Sequence, residues 1–333
     1  MKTQVEQLCM ALEIWNPNVC AFVLLKEHGI VKTSTRDEAV KAFLARYCSR
    51  EHQKEDWVMH KIFCKPVTKE QKNLDKEETA LRAHPDRPFE EVVGQFRRFQ
   101  PSRPYMLARS DFISALGDVN TYDSVACALD HSLDMLRLSL SDGMGVRKSV
   151  PSLLLRLGRE QEAYDFIKGW AKYMQPDGGD NGMPPHTWFR DADVFEPVEL
   201  AMDNYNFLNH ALDLLLLKVK LLLDLLALQK SPFDMNSLLT TLVRNRIDEL
   251  RASGLEALIE KVKDHIKLLC ESLKSQNSHI WTVLFSPEAN SATTACYSLG
   301  SMDEARVAVH ISYPAWAEAL ESLDWVENFV QSN

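Results

Sequence analysis

Two pairs of potential metal ligands stand close together in the first fifth of the chain: Cys48 with His52, and His60 with Cys64. Thiolate and neutral imidazole are donors that zinc favours. A four-residue spacing puts both members of a pair on one face of a helix, near enough to grip a common ion. If Ser49 caps a helix that runs onward, Cys48 and Cys64 stand sixteen rises of about 1.5 Å, or roughly 24 Å, apart. One zinc does not reach both ends. The pairs therefore require either a sharp break between them or separate metals, each completed by ligands from elsewhere.

The elements that must position these residues separate by composition into three regions. A Cys- and His-bearing N-terminal part covers 1–66, a charged connector covers 67–104, and a helical body covers 105–333. Lys69 to Ala83 is rich in Lys, Glu and Gln with few apolar anchors and reads as a helix, with partial disorder of the connector as the alternative. His84-Pro85, Arg87-Pro88, Gln100-Pro101 and Arg103-Pro104 then punctuate a loop. In the body, Leu129, Leu133, Leu136 and Leu140 recur at helical spacing, as do Val150, Leu153, Leu154 and Leu157. Ala163, Phe166, Ile167 and Trp170 form another set, and Leu255, Leu258, Ile259, Val262, Ile266 and Leu269 a longer one. Strand-like alternation is nearly absent.

Gly158 suits the left-handed position after a helix C-terminus, so a tight helical hairpin is expected around it. The stretch from Asp142 through Leu157-Gly158-Arg159 and Ala163 to Pro176-Asp177 resembles a tetratricopeptide-type (TPR-like) hairpin. No clean 34-residue period accompanies it, so an irregular bundle with one such hairpin stands beside a solenoid. A Gly-, Pro- and Asp-rich run from Asp177 to Pro197 reads as a long loop.

The segment Tyr47-Cys48-Ser49-Arg50-Glu51-His52-Gln53-Lys54-Glu55-Asp56-Trp57-Val58-Met59-His60-Lys61-Ile62-Phe63-Cys64 resembles the second half of a MYND-type zinc finger. That family's pattern ends Tyr-Cys-Ser-x-x-Cys-Gln-x-x-x-Trp-x-x-His-Lys-x-x-Cys; His52 stands where the family has Cys. The family places two Cys-x-x-Cys pairs upstream. On that spacing Cys20 matches the first ligand, whereas Val23, Ala39 and Ala42 occupy the other three positions. The resemblance thus implies one site of Cys20, Cys48 and His52 and another of His60 and Cys64 alone. Structural zinc almost always takes four protein ligands, so at most one zinc is expected and a metal-free finger is the competing expectation. The resemblance also implies a peptide groove for proline-rich segments, with Gln53 and Trp57 at its contributing positions. In the metal-free reading the remaining helix packs through Trp57, Ile62 and Phe63 onto the body. The wider chain, over Tyr105 to Trp170 and Asp191 to Pro197, is similar to a group of uncharacterised filamentous-fungal proteins that join such a finger to a helical region.

Composition narrows the function classes. The 333 residues, 45% hydrophobic and 26% charged, are ordinary for a globular chain, and Lys and Arg (38) are outnumbered by Asp and Glu (47) for a net charge of −9. A broad phosphate-binding surface needs the opposite balance, so no nucleic-acid partner is expected. Seven thinly spread cysteines suit reduced thiols and a cytoplasmic or nuclear setting. Lys2, Glu6 and Glu13 interrupt the only stretch where a signal peptide fits. The leucine-rich run Ala211 to Leu228 contains Asp213, Lys218, Lys220 and Asp224, so it reads as a helix buried in a bundle and not as a membrane span.

Catalytic patterns are missing: there is no phosphate-binding Gly-rich loop ending in Lys-Ser/Thr, no His-Glu-x-x-His, and no Gly-x-Ser-x-Gly. MYND fingers also occur inside SET-type lysine methyltransferases. Asn209-His210 matches their dipeptide, but no Cys-x-Pro-Asn turn follows. Cys127, Cys270 and Cys296 are expected to be buried structural thiols. The sequence therefore implies a mainly α protein, a helical bundle or TPR-like α-hairpin body behind a small degenerate MYND-like module. It would act as a non-catalytic, protein-binding adaptor or scaffold, with a decayed paralogue carrying a metal-free finger as the alternative.

Overall fold

The computed structural model describes residues 50–175, 178, 182–202, 208–230, 239–286 and 296–332, with the backbone alone for 50–60, 200, 201 and 320. Among these residues every regular element is a helix and no strand occurs. The chain divides into two compact units, Met1–His131 and Ser132–Asn333.

In the first unit a long helix, α1 (Arg50–Arg82), lies against α2 (Arg103–Gly117). Residues of high helix propensity build α1, supported by local pairs such as Glu78 with Arg82 (2.7 Å) and Gln71 with Asp75 (3.1 Å). Pro66 sits inside this helix, which runs through it without ending. The packed face is sparse: Val67, Leu74 and Leu81, seven residues apart, are buried, and nearly everything between them is partly or fully exposed. Met106, Phe112 and Leu116 supply buried apolar surface on α2.

Between the two helices the Pro-rich stretch is not slack chain. Phe89 meets Phe96 and Tyr105 edge-on at centroid distances of 5.5 and 5.3 Å, and His84 meets Phe99 at 5.3 Å. The buried Ser102 hydroxyl donates toward the carbonyls of Phe96 and Phe99, each at 2.7 Å. A third helix, α3 (Tyr122–Leu138), begins with a reciprocal cap: the Ser124 amide donates to the Thr121 hydroxyl and the Thr121 amide to the Ser124 hydroxyl.

The second unit contains the expected helical hairpin, α4 (Val150–Arg156) and α5 (Glu160–Met174). Gly158 takes φ +66°. The Arg159 and Gly158 amides donate back to the carbonyls of Leu154 (2.9 Å) and Leu155 (3.1 Å), which closes the end of α4 as a Schellman turn. Ala163, Phe166, Ile167 and Trp170 are all buried on α5. Gly169 faces the turn at Pro185–Thr187 so closely that a Cβ there would lie 2.1 Å from the Pro185 carbonyl oxygen.

At the centre runs α6 (Leu208–Lys230), with α7 (Leu255–Gln276), α8 (Ile280–Leu284), α9 (Met302–Ala317) and α10 (Leu320–Ser332) completing the bundle. α4, α5, α7, α9 and α10 all pack on α6, and leucines around its circumference are fully enclosed. Its charges have protein partners or are shut away. Lys220 pairs with Glu160 (2.7 Å), and Asp224 accepts from the Thr240 amide (2.8 Å). Among the described residues no helix is long and apolar enough to cross a membrane.

Candidate functional site

The N-terminal half of α1 carries most of the residues whose types imply metal or peptide binding. Cys20 and Cys48 lie outside the described residues. His52, Gln53, Trp57, His60 and Cys64 all fall on α1, which is unbroken from Arg50 onward. There is thus no sharp bend between His52 and Cys64. The twelve residues separating them span roughly 18 Å, so the two pairs cannot share one ion.

The register along the helix sorts the positions. At 3.6 residues per turn, Gln53, Trp57, His60 and Cys64 occupy one stripe about 60° wide, whereas His52 lies about 80° round the helix from His60. The stripe also has a continuation. Gln53 and His60 precede Val67, Leu74 and Leu81 at the same seven-residue interval, so the finger positions are in line with the face that packs on α2. One helix therefore carries finger positions at one end and core residues at the other. Sequence reading missed this, because one apolar residue in seven does not stand out from a run of Lys, Glu and Gln.

Cys64 is half-buried, with its Sγ 3.8 Å from the Thr68 hydroxyl, which donates to the Cys64 carbonyl at 2.8 Å. His60 and Cys64 occupy successive turns, the arrangement two donors to one ion need. A four-ligand zinc site requires two more. Among the described residues no group of three His, Cys, Asp or Glu side chains is close enough to hold a metal. Of the finger's donors only the Cys64 side chain is among those described. Ile62 and Phe63 are 57% and 41% exposed. Consecutive helix positions cannot all face one neighbour, and the buried stripe passes them by.

The second unit holds several titratable groups deep inside. The Lys218 amine, on α6, is fully buried, donates to the Val194 carbonyl and lies 5.1 Å from the centre of the Tyr164 ring. Burial pulls it down to about 7. Tyr164 donates to one oxygen of Glu196 (2.9 Å) and Lys168 to the other (2.7 Å). Asp165 accepts the amides of Asp191 (2.9 Å) and Ala192 (3.0 Å), which clamps the 191–196 turn onto α5. The Asp213 carboxyl is wholly buried, and burial, outweighing hydrogen bonds from Ser312 and the Ser152 backbone, pushes it well above the ordinary carboxylate range.

Asn209 and His210 serve the fold locally: the Asn209 side chain donates to the Lys148 carbonyl, and His210 Nε2 lies 2.9 Å from the Arg147 carbonyl. Burial lowers both His210 and His186 to about 4, so these rings are neutral near pH 7. Cys270 is buried, and burial raises its thiol to about 12. The expectation of buried thiols fails for Cys296, which is exposed on the chain leading into α9, and Cys127 is only partly enclosed. None of these interior groups was legible as a cluster, because their partners come from segments 24 to 63 residues away.

The family model for the MYND finger matches residues 43–64. The match takes in Cys48, His52, Gln53, Trp57, His60 and Cys64 and leaves out Cys20. This segment is MYND-type, and the rest of the chain lies outside the match. Comparison with curated proteins and with solved structures found no match.

Proposed function

We propose that this chain is a protein-binding adaptor, with a degenerate MYND finger on the first half of α1 and a non-catalytic helical body behind it. The observation that carries the reading is the MYND match over 43–64, a type of module that mediates protein–protein contacts. The partner is a protein segment rich in proline, taken at the Gln53 and Trp57 positions. A polyproline-type ligand is already extended before it binds and loses little entropy on docking. The continuity of α1 supports this use, since a finger on a helix anchored through Val67, Leu74 and Leu81 is held rigidly for its ligand. The exposed Ile62 and Phe63 add apolar surface beside it.

Zinc, when bound, would cross-link the finger through Cys20, Cys48 and His52. The sequence offers only His60 and Cys64 for the second site, which supports a second reading, in which the finger is metal-free and structural. The setting is cytoplasmic or nuclear, in keeping with thiols that have no disulfide pattern.

The test is fluorescence anisotropy with a labelled proline-rich peptide. Trp57→Ala should weaken binding about tenfold or more while far-UV circular dichroism stays unchanged. Equal binding by the parent chain and Trp57→Ala would sink the peptide-groove reading.

A further inference from the structure

The stretch from Val92 to Ser110 contains four arginines and no acidic residue, in a chain whose net charge is −9. One of the four, Arg109, is buried and bonded to Tyr105 Oη and His131 Nδ1. The other three, Arg97, Arg98 and Arg103, are exposed and make no ion pair among the described residues. Their neighbours behave differently. Arg82 pairs with Glu78, and Arg87 with Glu90 and Glu91. Three guanidinium groups within seven residues are thus left without carboxylates, on a protein that has carboxylates in excess.

The backbone that carries them is fixed. Arg98 donates its amide to the Gln95 carbonyl (2.8 Å), and Phe99 donates to Phe96 (3.2 Å). Ser102 ties the carbonyls of Phe96 and Phe99 together, and Phe89 packs edge-on against both Phe96 and Tyr105. The arginines are therefore presented from a rigid platform, which reduces the ordering cost of binding. Leu107, 44% exposed, stands one helical turn beyond Arg103 on α2 and offers an apolar contact next to the charge.

We propose that this face binds an acidic peptide segment of a partner protein, with Asp and Glu carboxylates on Arg97, Arg98 and Arg103 and an apolar side chain on Leu107. Guanidinium forks match carboxylates two bonds at a time, and an exposed pair gains little unless several act together. A nucleic acid fits less well, because a long polyanion extends past three arginines onto a surface of net negative charge. The surface is separate from the finger positions, so it stands or falls independently of the Trp57 test.

The experiment is an anisotropy titration of the full chain with a fluorescein-labelled peptide of sequence Asp-Glu-Asp-Leu-Glu-Asp-Asp at low and moderate salt. The triple variant Arg97→Gln, Arg98→Gln, Arg103→Gln should bind roughly tenfold or more weakly, and salt should weaken the parent chain more than the variant. A charge-matched control, Arg137→Gln, Arg246→Gln, Lys263→Gln, removes cations that already have partners and should bind like the parent chain. The proposal is overturned if the parent chain does not bind the peptide at low salt, or if the two triple variants lose affinity equally. It is also overturned if single-stranded RNA of equal charge binds more tightly through the same arginines.

Discussion

Lys218→Met tests the interior of the second unit. Lys218 is enclosed on α6, with its amine on the Val194 carbonyl and beside the Tyr164 ring. Asp193 and Glu196 favour its charge, Lys261 opposes it, and His265 is a neutral neighbour. Burial outweighs the acids and brings the amine from 10.5 down to about 7. Above pH 7 the folded chain has given up this proton while the unfolded chain still holds it. Stability therefore rises with pH until the unfolded amine also titrates. Each pH unit in that window contributes about 1.36 kcal/mol, so the interval from 7 to 10.5 amounts to something on the order of 5 kcal/mol. Methionine has nearly the same length and no proton to lose. Urea unfolding of both chains at several pH values isolates the contribution, because all other titrations cancel in the difference. Between about pH 7.5 and about pH 9.5 the parent chain should gain on the order of 2–3 kcal/mol relative to Lys218→Met. A difference that stays flat over that range would mean that the buried amine keeps its charge, and the burial argument would fail.

Four further outcomes are expected. Gly169→Ala would drive a methyl group to 2.1 Å from the Pro185 carbonyl oxygen and should cost about 1–3 kcal/mol with a changed Trp188 environment, read by melting temperature and intrinsic fluorescence. Gly117→Ala meets nothing within 4 Å and should be neutral or stabilising by up to about 1 kcal/mol. Leu74→Ala empties one of the buried positions on α1 and should destabilise the first unit by about 2–4 kcal/mol; hydrogen exchange in α1 and α2 that matches the parent chain would contradict the packing. Elemental mass spectrometry of tag-free protein should find no more than one zinc per chain, lost in Cys48→Ser and kept in Cys64→Ser, whereas two per chain would overturn the ligand count.

Much of the second unit was legible in its residues. The spacing of Ala163, Phe166, Ile167 and Trp170 identified a buried face, and Gly158 identified the turn before it, because one periodicity and one backbone angle fix those features locally. The leucines of α6 marked it as enclosed on nearly all sides. In the first unit, local pattern was less informative. The buried positions Val67, Leu74 and Leu81 are too widely spaced to form a conspicuous stripe, and Ile62 with Phe63 made a more apolar pair that is in fact exposed. Only the position of α2 distinguishes them.

The sequence by itself determined the helical character, the hairpin at Gly158, the central burial of α6 and the MYND-type segment, since each depends on residues within a few turns of one another. Tertiary structure alone decided that α1 runs unbroken from the finger positions to the core face, and that Lys218 and Asp213 are enclosed. It also decided that Arg97, Arg98 and Arg103 make no ion pairs among the described residues. The physical reason is the same in each case: burial and charge pairing are properties of neighbours in space, and those neighbours come from other helices.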